Sequence, residues 1–140
     1  LVPIGGGGLI AGSALAAKFF GDNCSVIGTE PFEVDDAYRS LISGKIETNI
    51  SNNTIADGLR TQLGDKNFPI ILDEVKKIIR ITENEIIDSM KLIWQRLKII
   101  CEPSCSLPLA GIIKNKDEFK GKKIGVVITG GNIDLDNIPF

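Results

Sequence analysis

Histidine is missing from all 140 residues. Its absence excludes His-based catalytic triads and most transition-metal sites within this chain. Cysteine is sparse and odd in number: Cys24, Cys101 and Cys105 fit no zinc spacing, and the last two lack the two-residue gap of a redox pair. Reduced thiols in a cytosolic protein are the expectation, because free cysteine usually behaves as a small buried hydrophobe. No block of like charge occurs. The 16 basic and 18 acidic residues nearly cancel, which leaves no electrostatic footprint for nucleic acid or an anionic membrane. No apolar run approaches the roughly 20 residues that cross a bilayer, and no signal peptide is recognisable.

What is present is enough apolar residue, 43%, for the core of one ordinary domain. The chain opens at Leu1 inside an apolar run that leads straight into glycines. This start predicts a fragment whose N-terminal part lies elsewhere. Leu1 to Ile4 reads as a short buried strand, Gly5 to Gly8 as a loop, and the alanine-rich Leu9 to Phe20 as a buried helix that Gly21 can end. Cys24 to Thr29 is a second buried strand and Asp35 to Ile42 a short helix. Ser51-Asn52-Asn53 marks a loop. Phe68 to Lys77 reads as a helix with Pro69 in its first turn, and Ile78 to Ile81 as a third strand. Thr82 with Glu85 matches a capping box. The helix behind it runs to about Ile100, with Ile86, Met90, Ile93, Trp94 and Leu97 as its buried stripe. A helix over Pro108 to Lys116, starting somewhere after Pro103, and a fourth buried strand over Lys123 to Ile128 complete the pattern. Alternating strands and helices predict one α/β unit over residues 1–140 with a largely parallel sheet flanked by helices.

A strand, a glycine loop and a helix form the arrangement that binds phosphate. Backbone N–H groups converge on the anion, and the helix N-terminus adds unsatisfied donors and the positive end of its dipole. Four consecutive glycines, Gly5 to Gly8, are hard to explain as an ordinary turn. A dinucleotide is one candidate ligand. Gly6, Gly8 and Ala11 fit the spacing of the G-x-G-x-x-G/A fingerprint, and Glu30 ends the next strand, near where a ribose-binding acid belongs. A non-catalytic anion-binding module is another reading.

Three further segments have no role in a Rossmann domain, and with the loop they carry a family resemblance. Gly5-Gly6-Gly7-Gly8-Leu9-Ile10-Ala11-Gly12 resembles the tetraglycine loop of fold-type II pyridoxal-phosphate enzymes. Thr54-Ile55-Ala56-Asp57-Gly58, Glu102-Pro103-Ser104 and Thr129-Gly130-Gly131-Asn132 resemble, in order and spacing, segments of the serine racemase and threonine dehydratase branch. The resemblance covers nearly the whole chain. It implies the C-terminal portion of the cofactor-binding large domain of a tryptophan synthase beta-like fold. The function it implies is dehydration (deamination) or racemisation of serine, threonine or hydroxyaspartate.

Residue by residue, the resemblance places the cofactor phosphate on Gly5, Gly6, Gly7 and Gly8, with Leu9 giving the next N–H. Thr129 would meet the pyridine nitrogen; as a plain strand-end residue it would only satisfy backbone. Glu102 would lie beside the cofactor, or simply cap the helix after Pro103. Asp57 would order the nearby loop or serve as a turn residue. Glu30, Asp36 and the Val34 carbonyl match positions that bind Mg²⁺ or Ca²⁺ in eukaryotic members, although an acidic loop can also be merely solvated. Lys98 and Asn132 match positions that touch ATP at a subunit interface, Lys98 having the alternative of a solvated charge. The resemblance also implies a homodimer that includes the N-terminal half of the same polypeptide. The lysine that anchors the cofactor belongs to that half. No Lys here sits in a Ser-x-Lys context, so these residues hold cofactor without running the reaction alone.

Overall fold

The computed structural model describes residues 1–140. Three parallel strands form the sheet: β1 (Val2–Pro3), β2 (Val26–Pro31) and β3 (Val75–Ile81), adjacent in chain order. Between and after them come α1 (Gly8–Phe20), α2 (Asp36–Ser43), α3 (Phe68–Glu74), α4 (Glu83–Leu97), α5 (Pro103–Lys114) and the short α6 (Lys116–Phe119). Single 3-10 turns occur at Asp57–Leu59 and Leu135–Asn137.

Every residue of β2 is buried, as expected of a strand covered on both faces. Its alternating side chains feed two cores. Val26 joins Val2, Ile4, Ile10, Ala14, Phe68 and Ile71 beneath α1 and α3. Ile27 joins Ile79, Ile81, Ile86, Leu107 and Ala110 beneath α4 and α5. A register shift between Val26 and Ile27 lets Val75 and Ile78 of β3 face the first core while Ile79 and Ile81 face the second. The expected three-layer α/β arrangement is therefore present.

Three expectations need correction. The helix predicted to reach Lys77 ends at Glu74, and β3 starts at Val75. Val75 and Ile78 are buried whereas Lys76 is exposed; pairing with β2 decides a stretch whose helical periodicity is equally good. Helix α5 begins at Pro103 rather than near Pro108, which sits inside it. Pro103 occupies the first helical position, where its missing N–H has no partner to lose. The predicted fourth strand, Lys123 to Ile128, is neither buried nor a regular strand. It runs beside β1, with the Leu1 ammonium donating to the Gly125 carbonyl (2.7 Å) and the Val127 N–H to the Leu1 carbonyl (3.2 Å). No helix of this chain covers it.

The capping box is formed as expected. Thr82 N–H donates to the Glu85 carboxylate at 2.8 Å, and Glu85 N–H to the Thr82 hydroxyl at 3.4 Å. Burial alone would raise the Glu85 carboxyl, but the bonds from Thr82 and Lys114 outweigh it and hold that carboxyl below its ordinary value. Of the predicted α4 stripe, Ile86, Met90 and Ile93 are buried; Trp94 is half-buried and donates to the Cys101 carbonyl at 3.0 Å, and Leu97 is exposed.

Candidate cofactor site

The loop between β1 and α1 leaves its amides free. None of the N–H groups of Gly5, Gly6, Gly7, Gly8 or Leu9 donates to another backbone group. Gly7 holds a left-handed conformation (φ 86°) as the N-cap of α1, turning the chain so that the helix's first amides and the loop amides open on one side. The loop is braced from behind. The Gly6 carbonyl accepts from Gly64 N–H at 3.1 Å and from the Asn67 side-chain amide at 2.8 Å. Sequence reasoning missed both braces, because a polar loop residue bonded to backbone about 60 positions away leaves no local signal.

A cavity of about 210 Å³ opens on this loop. Its walls include Gly5 to Gly8, Leu9, Gly58, Glu102, Ser104 and Thr129. All four motif segments, drawn from both ends and the middle of the chain, thus meet at one small cleft. Ser104 and Gly58 are additions to the expected set. Their mutual bond, Gly58 N–H to Ser104 Oγ at 3.1 Å, fixes the Thr54–Gly58 segment against the start of α5. Asp57 folds its carboxylate onto the Gly58 N–H at 2.9 Å, a turn role.

Glu102 is the N-cap of α5, yet its side chain does not cap that helix. Its carboxylate accepts Asn132 N–H at 3.0 Å, and its own N–H donates to the Gly130 carbonyl at 3.1 Å. Glu102 therefore clasps the Thr129–Asn132 turn at two points. A Cβ on Gly130 would come within 3.0 Å of that carboxylate, so glycine is needed for the close approach. Cys105 adds a third tie, its thiol shared between the Gly130 carbonyl at 3.0 Å and the Glu102 carbonyl at 3.3 Å. The neighbouring Cys101 thiol is pushed up by its contact with Cys105 and by burial. All three cysteines are free.

The second group of expected residues lies away from this cleft. Glu30 is 1% exposed, and its two carboxylate oxygens accept the Ala37 and Tyr38 amides of α2 at 3.0 and 2.9 Å. Burial, then proximity to Asp36 and Asp35, pushes the Glu30 carboxyl well up, and the two amides only partly offset this. Asp36 is also pushed up by burial. One of its oxygens accepts Leu63 N–H at 2.7 Å, whereas Oδ1 is buried without a partner. No backbone N–H outside the regular elements donates to the Val34 carbonyl. No group of three or more His, Cys, Asp or Glu side chains is placed to hold a metal ion. A cation here would rest on two carboxylates, a carbonyl and other oxygen donors, which is the chemistry of Mg²⁺ and Ca²⁺. The ribose role that a dinucleotide requires of Glu30 is ruled out by its burial on α2. Lys98 ends α4 in a left-handed conformation (φ 57°), and both it and Asn132 are exposed.

Residues 1–130 match the family model for pyridoxal-phosphate dependent enzymes. The chain belongs to this family. It is 44% identical over 140 residues to a beta-hydroxyaspartate dehydratase of Paracoccus denitrificans, covering 100% of this chain and 44% of that protein. To the serine racemase of Dictyostelium discoideum it is 47% identical over 142 residues, covering 99% and 44%. The crystal structure of that racemase superposes with a TM-score of 0.89 at 48% identity, over 96% of this chain and 43% of that one. The crystal structure of a bacterial-type threonine deaminase gives 0.91 at 37% identity, over 96% and 44%. The chain thus spans less than half the length of these relatives.

Proposed function

We propose that this chain is the phosphate- and ring-nitrogen-binding portion of a pyridoxal-phosphate enzyme that dehydrates or racemises a small hydroxy amino acid. The observation that carries the reading is the convergence of four separated segments on one cleft whose loop amides are unpaired. Gly5, Gly6, Gly7, Gly8 and Leu9 would hold the phosphate. Thr129 would offer its hydroxyl to the pyridine nitrogen, with the turn fixed by Glu102. The bound cofactor supplies an electron sink for the substrate α-carbon. A neutral hydroxyl at the ring nitrogen holds a proton there less firmly than a carboxylate does. This suits brief carbanionic character, as in β-elimination or racemisation, better than prolonged charge delocalisation.

The test uses the full-length protein loaded with cofactor. It is incubated in turn with serine, threonine and hydroxyaspartate, and both keto acid and inverted enantiomer are measured. Turnover of at least one of these supports the reading. Cofactor binding without any of these reactions refutes the substrate class, and failure to bind cofactor refutes the whole.

Related readings attach to the same protein. Glu30, Asp36 and the Val34 carbonyl would hold Mg²⁺ or Ca²⁺; the unpartnered Asp36 Oδ1 supports this. A fall in thermal stability on EDTA, reversed by Mg²⁺, checks it. Lys98 and Asn132 would contact ATP at the interface of a homodimer completed by the N-terminal half. Equilibrium dialysis and sedimentation check the nucleotide and the dimer. Free thiols accord with a cytoplasmic setting.

A further inference from the structure

Four buried side-chain polar atoms in the molecule have no hydrogen-bond partner: Asp36 Oδ1, Asn49 Nδ2, Asn49 Oδ1 and Glu83 Oε1. Three of them belong to Asp36 and Asn49. The Asn49 amide lies beside the Asp36 carboxylate, where it favours the ionised form of that group. Burying a polar atom unpaired costs about 1–3 kcal/mol. Three such atoms on two adjacent side chains therefore point to an absent partner rather than to accident.

The loop that carries Asn49 is held in place over α2. Glu47 N–H donates to Ser40 Oγ at 2.9 Å, and Ser40 Oγ donates to the Asp36 carbonyl at 2.6 Å. The Arg39 guanidinium donates to the Thr48 carbonyl at 2.7 Å while its Nε bonds Asp35 at 2.7 Å. These ties fix the backbone on the N-terminal side of Asn49 and bring its side chain to the carboxylates.

We infer that Asn49 is the third side chain of the cation site formed by Glu30 and Asp36, giving its Oδ1 to the ion. The inference rests on the cation reading above and adds to it a residue that neither charge nor motif marks. A carboxamide has a donor end and an acceptor end related by a half-turn about its last torsion. With no protein partner at either end, that half-turn breaks no hydrogen bond. Nδ2 can serve Asp36 while the site is empty, and Oδ1 can face a hard cation when one enters. Asp36 Oδ1, the Val34 carbonyl, Glu30 and Asn49 then make an oxygen set of the kind Mg²⁺ and Ca²⁺ take, with water completing the shell.

The experiment uses the full-length protein stripped with EDTA and loaded with Tb³⁺ as a luminescent stand-in for Ca²⁺. Luminescence lifetimes in H₂O and D₂O count the waters on the ion, and competition by Ca²⁺ gives its affinity. Asn49→Ala is expected to admit one more water and to weaken Ca²⁺ at least tenfold, in the range seen when an oxygen donor at a metal site is lost. Asn49→Ser, too short to reach the ion, repeats the measurement if Asn49→Ala does not fold. Glu30→Gln serves as the control for the carboxylates. An unchanged water count and an affinity within twofold of wild type in both Asn49 variants would overturn the inference while leaving the Glu30–Asp36 site standing. Absence of Tb³⁺ and Ca²⁺ binding in the wild type would overturn both.

Discussion

Substituting alanine at Gly7 separates the loop's architecture from its ligand chemistry. Gly7 has φ 86°, and an added Cβ would lie 2.7 Å from Leu63 Cδ1, 2.8 Å from Ile71 Cδ1 and 3.2 Å from Asn67 Cβ. A left-handed conformation disfavours a non-glycine residue by about 1–2 kcal/mol. Forcing a methyl into a filled core adds about 1–3 kcal/mol. Leu63 and Ile71 are 5% and 0% exposed, so they have little room to withdraw. The sum is about 2–5 kcal/mol, which should appear without any cofactor present. At Gly6 the nearest atom is 3.8 Å away and the conformation is ordinary, so Gly6→Ala should change stability little. Its methyl lies on the cofactor loop, however, and should weaken cofactor retention. The assay is urea unfolding of the apo full-length protein for both variants, followed by cofactor titration of whichever remains folded. Equal unfolding midpoints for Gly7→Ala and wild type would refute the packing argument.

Thr129→Ala should keep the fold and lower turnover more than cofactor affinity, because one neutral hydrogen bond contributes only about 0.5–1.5 kcal/mol; steady-state kinetics beside cofactor titration measures both. Glu102→Ala removes the carboxylate that accepts Asn132 N–H, a charge-assisted bond of about 1.5–3 kcal/mol. The Thr129–Asn132 turn should loosen, and hydrogen exchange at Asn132 should quicken. Thr82→Ala should destabilise by about 1 kcal/mol through loss of the capping box, read from the unfolding midpoint. The Glu85 carboxyl, held low in the folded protein, contributes stability that is full above the unfolded carboxylate range and disappears as pH falls through its depressed folded value. Glu85→Gln should therefore flatten the acid limb of the stability profile, and an unchanged acid limb would contradict that assignment.

The cleft was legible because its residues announce themselves locally. Four glycines after an apolar run, Glu102 before a proline, and Thr129 before two glycines are each visible in a window of a few residues. Long-range pairing was not legible. Val75 to Lys77 follows an apolar helix without a break, and only hydrogen bonding to β2 turns it into strand. Lys123 to Ile128 has the composition of a buried strand, yet the elements of this chain leave it uncovered. Asn67 braces Gly6 and Cys105 ties the Gly130 turn through bonds spanning 61 and 25 positions, so neither has a motif to betray it.

Leu63 and Gly64 are consecutive, and their two N–H groups go to different places: the first to the Asp36 carboxylate, the second to the Gly6 carbonyl. A single peptide unit therefore joins the buried acidic cluster to the tetraglycine loop. Anything that draws the Asp36 carboxylate toward itself competes with Leu63 for that oxygen and shifts the support behind Gly6. Linkage then works in both directions by the same factor. Filling the anion loop should alter how tightly the acidic cluster holds a cation, as much as the cation alters the hold on the phosphate.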